Sequence, residues 1–67
     1  MEDQALRAGE KLRLLLKEQE LTQEEFAFDF NTDIRNVNRW INEGIKKIRT
    51  IQDLAEYFHI SFVDFFI

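Results

Sequence analysis

Residues 22–42 constrain the fold of this 67-residue chain more than any other part of it. Their letters, TQEEFAFDFNTDIRNVNRWIN, contain two runs with helical spacing of apolar residues and a very short connection between them. Thr22, followed three residues later by Glu25, has the pattern of a capping box, which marks the start of a helix. Asn31 suits the left-handed conformation that ends a helix, and Asp33 suits the start of the next one. We therefore predict two short helices joined by a tight turn.

The rest of the chain predicts three further helices. Helix 1 is expected over about residues 5–19, helix 4 over 50–58 after a basic loop at 45–49, and a last short helix over 61–67. Because no alternating strand pattern occurs, we predict an all-α domain of five helices. The expected core side chains are Leu12, Leu15, Leu16, Phe26, Ala27, Phe30, Val37, Trp40, Ile41, Ile51, Leu54, Ala55, Phe58, Phe62 and Phe65.

The composition fits one small intracellular domain. Hydrophobic residues make up 45% of the chain, including seven Phe, which is enough for a helical core without disulfides. The chain has no Cys, its start is polar, and no apolar run approaches the roughly 20 residues of a membrane span. We expect residues 1–67 to form a single domain, alone or as the first domain of a longer chain, in the cytoplasm and associated with the nucleoid.

The chain contains few of the residue types that catalytic sites use. The chain has one His, one Ser and no Cys, so neither a conventional catalytic triad nor a His/Cys metal site can be assembled. His59 is expected to cap the end of helix 4, as Gly44 is expected to end helix 3. We predict no catalytic residue, metal, cofactor, small-molecule substrate or membrane partner.

Polar side chains of helix 3 have the donors and acceptors that DNA recognition requires. Val37 and Trp40 lie at helical spacing and are expected to face the core, so the polar residues between them face outward. Arginine binds guanine O6 and N7 through two hydrogen bonds, and asparagine binds adenine N6 and N7 similarly. The outward residues of these two types are Arg35, Asn36, Asn38 and Arg39. Two short helices with such a polar second member have the layout of a helix-turn-helix.

The net charge of −4 is distributed unevenly along the chain. Residues 1–30 carry −4, residues 31–49 carry +3 and residues 50–67 carry −3. The positive charge thus lies on and after helix 3, where phosphates would lie. We expect the acidic remainder to weaken non-specific DNA binding without abolishing a specific site.

Five stretches carry a resemblance to a known family. They are GEKLRLLL, LTQEEFA, VNRW, TIQDLAEYF and HISFVDFF, which follow in this order between Gly9 and Phe66. With them the chain resembles the XRE (Cro/phage-repressor-like) helix-turn-helix family. The resemblance implies a compact five-helix, lambda-repressor-like fold and a transcriptional regulator. It also implies sequence-specific binding to double-stranded DNA, as a homodimer on a palindromic operator.

The resemblance also implies roles for individual side chains. Gln23 matches a glutamine that meets the DNA backbone at the start of helix 2, where helix N-terminal amides suit a phosphate. The positions implied to face base edges are Ile34, Arg35, Asn38 and Arg39, with Asn36 beside them. Those implied to lie against the backbone are Thr22, Gln23, Asn42, Lys46, Lys47 and Arg49, the last within reach of the minor groove. For each of them, a solvated surface side chain is the alternative.

One departure from the family pattern concerns the core. Leu16 stands where helix 1 of the family usually carries an arginine, and Ile41 stands where helix 3 ends in a glutamate that pairs with it. We infer that Leu16 packs against Ile41. A hydrophobic contact would then replace a buried ion pair, an exchange that is often neutral or stabilising.

Other departures concern the DNA-facing side. Asp33 and the nearby Asp29 place acids at the start of helix 3, where they repel phosphate, although Asp33 suits a helix cap or cytosine N4. Ile34 offers contact only to a thymine methyl group. Thr32 replaces a small apolar residue, and Gly44 comes one residue later than the family's glycine.

Several apolar residues fall where exposure is expected, which indicates a protein-binding surface. In similar repressors the loop before helix 4 and the C-terminal helix form the dimer contact. The candidate dimer or partner residues are Leu14, Phe28, Val63, Phe66 and Ile67. The alternative function is therefore a protein–protein interaction module on the same fold, with weak or no DNA binding. Such a module would act as an antirepressor, an antitoxin-like partner or an adaptor.

Overall fold

Four α-helices and a short 3₁₀ helix follow one another in the computed structural model, which describes residues 4–66. The bounds are α1 Gln4–Glu18, α2 Gln23–Asp29, α3 Ile34–Glu43, α4 Ile48–Phe58 and the 3₁₀ helix Phe62–Phe66. Within residues 4–66 there is no β-strand, and no helix is long and apolar enough to cross a bilayer. The predicted all-α architecture is confirmed, with four α-helices.

The fifth predicted helix is a single 3₁₀ segment. Its start is held by two hydrogen bonds, from the Ser61 amide to Asp64 Oδ2 (3.3 Å) and from the Val63 amide to Ser61 Oγ (3.3 Å). Five residues form fewer than two 3₁₀ turns, in keeping with the use of this helix type in short pieces. Ile67, the last residue of the predicted helix, lies outside the described residues.

The ends of α2 and α3 follow the local rules expected from their sequence. Thr22 Oγ1 accepts a hydrogen bond from the Glu25 amide (3.0 Å), and the Thr22 amide donates to Glu25 Oε1 (2.9 Å). The second bond lowers the pKa of the Glu25 carboxyl below its usual value. Asn31 has φ 62°, and Asp33 Oδ1 accepts from the Arg35 amide (3.0 Å). The capping box, the left-handed turn residue and the Asp33 cap are all confirmed.

The structure corrects the predicted start of helix 4. α4 begins at Ile48 instead of residue 50, so the loop predicted over 45–49 ends at Lys47, and Arg49 lies in the first turn of the helix. Arg49 Nε is 3.7 Å from Asp53 Oδ1 one turn later, a pairing that favours a helix here. His59, with φ 59°, ends α4 in the left-handed conformation, as predicted.

One apolar core joins all five elements. Most predicted core residues are buried, whereas Phe30, Trp40, Ile41, Phe58 and Phe62 pack at its edge and stay half-buried. Two core residues are absent from the prediction, Ala8 and Ile45. Ile45 is 2% exposed, and its amide donates to the carbonyl of Ala5 (2.9 Å), so the loop after α3 is tied to α1.

Two glycines set the distance between α1 and the end of α3. A Cβ on Gly9 would lie 2.2 Å from the carbonyl oxygen of Trp40. Gly44 has φ 102°, and a Cβ there would lie 2.7 Å from the carbonyl carbon of Ala5. Only glycine permits this close packing of backbones.

An aromatic cluster joins α2 to α4. The ring centroid of Phe26 lies 5.1 Å from Phe30, 5.2 Å from Tyr57 and 5.6 Å from Phe58. The Tyr57 hydroxyl donates a hydrogen bond to the Asp29 carboxylate. This bond, with partial burial and the carboxylate's charge, raises the pKa of Tyr57 to about 12.

Tyr57→Phe is expected to reduce the loss of stability at alkaline pH. The pKa of Tyr57 is higher in the folded state than its ordinary 10.0, so its contribution is fully present below pH 10 and is lost as the pH rises towards 12. After allowance for solvent screening, the bond contributes about 1 kcal/mol. Urea denaturation of wild type and variant at pH 8 and at pH 11 gives the loss of unfolding free energy between the two pH values. Equal losses in the two proteins would contradict the assignment.

The chain's single tyrosine offers an independent measurement. Ultraviolet titration of the phenolate follows Tyr57 alone, and in the folded protein its midpoint should lie above that of the urea-unfolded chain.

Candidate nucleic-acid interface

The side chains expected to read bases lie on the outer surface of α3. Val37 is fully buried, and helical geometry turns the positions two residues away towards solvent. Ile34, Arg35, Asn38 and Arg39 are exposed, whereas Asn36 is half-buried. Four of the five residues are therefore accessible along one side of a ten-residue helix.

A chain of hydrogen bonds links α2 to this surface. Asn38 Nδ2 donates to Gln23 Oε1 (3.4 Å), and Asn42 Nδ2 donates to Asn38 Oδ1 (3.0 Å). The structure thus brings together two residues expected at the DNA backbone, Gln23 and Asn42, with one expected at the bases. Asn38 keeps one N–H and one carbonyl lone pair free, which is what a bidentate contact to adenine requires.

A second chain of hydrogen bonds holds Arg39. Asn36 Nδ2 donates to Thr32 Oγ1 (3.1 Å), and Arg39 Nη2 donates to Asn36 Oδ1 (2.7 Å). Asn36 was expected to face outward, but it lies against the turn and orients Arg39. The hydroxyl of Thr32 gives this residue a role that the family's small apolar residue could not have. Arg39 still has four unused donors of the five in its guanidinium group.

Arg35 is a highly accessible basic side chain of α3. Its Nη2 lies 3.7 Å from Asp33 Oδ2, in a pair in which the arginine side chain is 90% exposed. Such exposed pairs contribute little free energy, so Asp33 does not fix the guanidinium. Asp33 nevertheless keeps a negative charge at the start of α3 and reduces the positive potential there.

An open cleft of about 320 Å³ lies beside this surface. Its lining residues are Asn36, Arg39, Trp40 and Glu43 from α3 and Gly44, Ile45, Lys46, Lys47 and Thr50 from the loop and α4. Three cationic side chains and the single carboxylate of Glu43 therefore border one concave surface that adjoins α3. Arg49 is not among its lining residues and pairs with Asp53 instead, which sets it apart from the other residues expected at phosphates.

The arrangement is suited to binding a polyanion. Between residues 4 and 66 there is no cluster of three or more His, Cys, Asp or Glu that could hold a metal ion. The two hydrogen-bond chains were absent from the sequence-based expectations. Thr32 and Asn36 are four residues apart, and this spacing is the one local signal that could have indicated part of them.

Comparison with known proteins is consistent with the geometry. A helix-turn-helix family model of the XRE type matches residues 12–65, which is more than half of the chain. No curated protein and no solved structure matches the chain significantly. The matched segment contains α2, the turn, α3 and the cleft. The chain belongs to the XRE family of helix-turn-helix proteins, a family of DNA-binding regulators.

Proposed function

We propose that this protein is a sequence-specific transcriptional regulator that binds a palindromic operator as a homodimer, with α3 in the major groove. The observation that carries the proposal is the hydrogen bond from Asn38 to Gln23. It unites the start of α2 and the outer surface of α3 into one polar surface. In a helix-turn-helix complex, the first helix meets the backbone while the second reads base edges.

In this proposal Arg35, Asn38 and Arg39 read the bases. Arg35 is free to reach guanine O6 and N7, and Asn38 has the free donor and acceptor for adenine. Arg39 is held by Asn36 and is therefore partly preorganised. Ile34, which is exposed at the start of α3, would meet a thymine methyl group.

Backbone contacts would come from both sides of α3. Gln23 and Thr22 lie at the start of α2, and Asn42 lies at the end of α3. Lys46 and Lys47 border the cleft and would neutralise phosphates there. Arg49 does not line the cleft, so we assign it a smaller contribution.

The dimer contact is proposed at the C-terminal 3₁₀ helix. Val63 is exposed, whereas Phe66 is half-buried, stacks edge-on against Phe62 at 5.2 Å and accepts a hydrogen bond from Arg7 through its carbonyl. Val63 is therefore the more available contact residue. Two copies related by a twofold axis would place their α3 helices in successive major grooves, roughly 34–36 Å apart.

Selection from random duplex DNA, followed by titrations at several salt concentrations, tests the proposal. We expect a palindromic consensus and a steep loss of affinity with salt, because each phosphate contact releases counterions. Binding without salt dependence, or no enriched sequence at low ionic strength, would favour the interaction module instead. The acidic composition and the negative charge of Asp33 beside Arg35 are the observations that support this second candidate.

Arg35→Ala is expected to relax specificity at one base pair of each half-site. A bidentate arginine–guanine contact provides about 1–3 kcal/mol of discrimination. The ratio of affinities for the preferred and the other bases at that position should therefore fall roughly 5- to 150-fold. Titrations with the consensus and with its single-base variants measure the change. Arg13→Ala is the control, since Arg13 is exposed on α1, where it pairs with Glu10 (3.9 Å). Specificity unchanged in Arg35→Ala would remove this residue from base reading.

Lys46→Ala is expected to weaken binding to all sequences alike. Loss of one phosphate contact should reduce the slope of log affinity against log salt by about one unit. The readout is that slope, measured for consensus and random duplexes. Lys17→Ala, which removes an exposed cation at the end of α1, serves as the control. A slope equal to that of wild type would show that the cleft does not meet phosphate.

A further inference from the structure

One exposed aromatic side chain is not explained by the fold or by the DNA-facing surface. Phe28 is 89% exposed, whereas the other large exposed hydrophobics are between 42% and 56% exposed. It lies two residues after Phe26, which is fully buried, so it points away from the core side of α2.

The neighbours of Phe28 on α2 are acidic. Glu24 precedes it by four residues and Glu25 by three, the spacings that place side chains side by side on a helix. The side chain of Glu24 makes no hydrogen bond or ion pair with any residue in the described part of the chain. Glu25 Oε1 accepts a hydrogen bond from the Thr22 amide (2.9 Å), which holds this carboxylate at the start of α2 and lowers its pKa. These three residues form the outer face of α2.

The charge of this region separates it from the DNA-facing surface. Residues 24–29 contain three Asp or Glu and no Lys or Arg, whereas residues 31–49 carry a net +3. Phosphates, whether of DNA or of anionic lipid, are repelled by such a surface. A protein with cationic side chains around an apolar pocket is its electrostatic and hydrophobic complement.

We propose that the outer face of α2 is a docking site for a partner protein that offers Lys or Arg residues around an apolar pocket. Phe28 is the anchor, because aromatic side chains seated in a pocket carry a large share of interface energy. Glu24 and Glu25 steer the partner and fix its orientation. The site lies on α2, apart from the 3₁₀ helix proposed for dimerisation, and it does not depend on DNA binding.

Selection of a displayed random peptide library on the immobilised protein tests this proposal without DNA. We expect enriched peptides in which Lys or Arg flank apolar residues. Phe28→Ser should weaken their binding roughly tenfold or more, and Glu24→Lys should weaken it and reduce its salt dependence. Leu6→Ser is the matched control, since Leu6 is an exposed apolar residue of α1 and should leave the affinity unchanged. Circular dichroism verifies that each variant is folded.

Three results would overturn the proposal. The first is a selection that gives no peptide distinguishing wild type from Phe28→Ser. The second is a set of enriched peptides that are acidic, or whose amide-shift changes map to Arg39 and Lys46 in the cleft. The third is self-association in sedimentation velocity that Phe28→Ser abolishes, which would make a second copy the occupant.

Discussion

Replacing Gly9 by alanine is expected to destabilise the protein strongly, although alanine is the better helix former. In an exposed helix this exchange gains about 1 kcal/mol. Here the new Cβ would lie 2.2 Å from the carbonyl oxygen of Trp40, a backbone atom that cannot rotate away. α1 must therefore move off α3, and the core residues between them lose contact.

The expected net loss is about 2–4 kcal/mol. Overpacking costs typically 1–3 kcal/mol and sometimes more, and here the obstacle is backbone instead of a flexible side chain. A domain of this size has a total stability of about 3–10 kcal/mol, so the substitution should remove a large fraction of it. Urea denaturation followed by circular dichroism gives the free energy of unfolding.

Glu10→Ala is the control for Gly9→Ala. It changes the next residue of the same helix, which is exposed, and should shift the urea midpoint little. A midpoint for Gly9→Ala at or above that of wild type would contradict the close approach of Gly9 to the Trp40 carbonyl.

This glycine illustrates which parts of the fold can be read from the sequence. The Thr22 capping box, Asn31, Asp33 and His59 were predictable because each depends on interactions within a few residues of the chain. Gly9 gives no such signal, since its role depends on a carbonyl group 31 residues away. The burial of Ile45 was hidden for the same reason. In the sequence Ile45 stands between a glycine and two lysines, which gives no sign of burial. The hydrogen bond from its amide to the Ala5 carbonyl holds it against α1.

The candidate site follows the same division. Helical spacing correctly placed Asn38 and Arg39 on the outside of α3. It could not show that Asn38 bonds Gln23 across the turn, because that bond requires the angle between two helices. It also misplaced Asn36, whose amide is drawn inward by Thr32. Residue types and helical spacing identify the outer surface of α3. Tertiary packing decides which of its side chains are held by hydrogen bonds and which are free.

Leu16→Arg is expected to be the most destabilising of the substitutions considered on α1. Leu16 is 4% exposed and belongs to the core, and Ile41 packs against that core from α3. An arginine there either buries a charge without a partner or pushes the helices apart. Removing one partner of a buried ion pair costs about 3–5 kcal/mol, and an unpaired arginine in this core should cost a similar amount. Thermal and urea denaturation measure the loss.

The double variant Leu16→Arg/Ile41→Glu tests whether these two positions face each other. It restores the residue types that the XRE pattern carries, so a carboxylate would meet the guanidinium and recover part of the lost stability. A recovery of at least about 1 kcal/mol relative to the sum of the single changes would show direct coupling. Leu14→Arg, at an exposed position two residues earlier, should cost little. If Leu16→Arg melts like wild type, or if Ile41→Glu brings no recovery, the two side chains do not pack together. The inference that a Leu16–Ile41 contact replaces the family's arginine–glutamate ion pair would then be wrong.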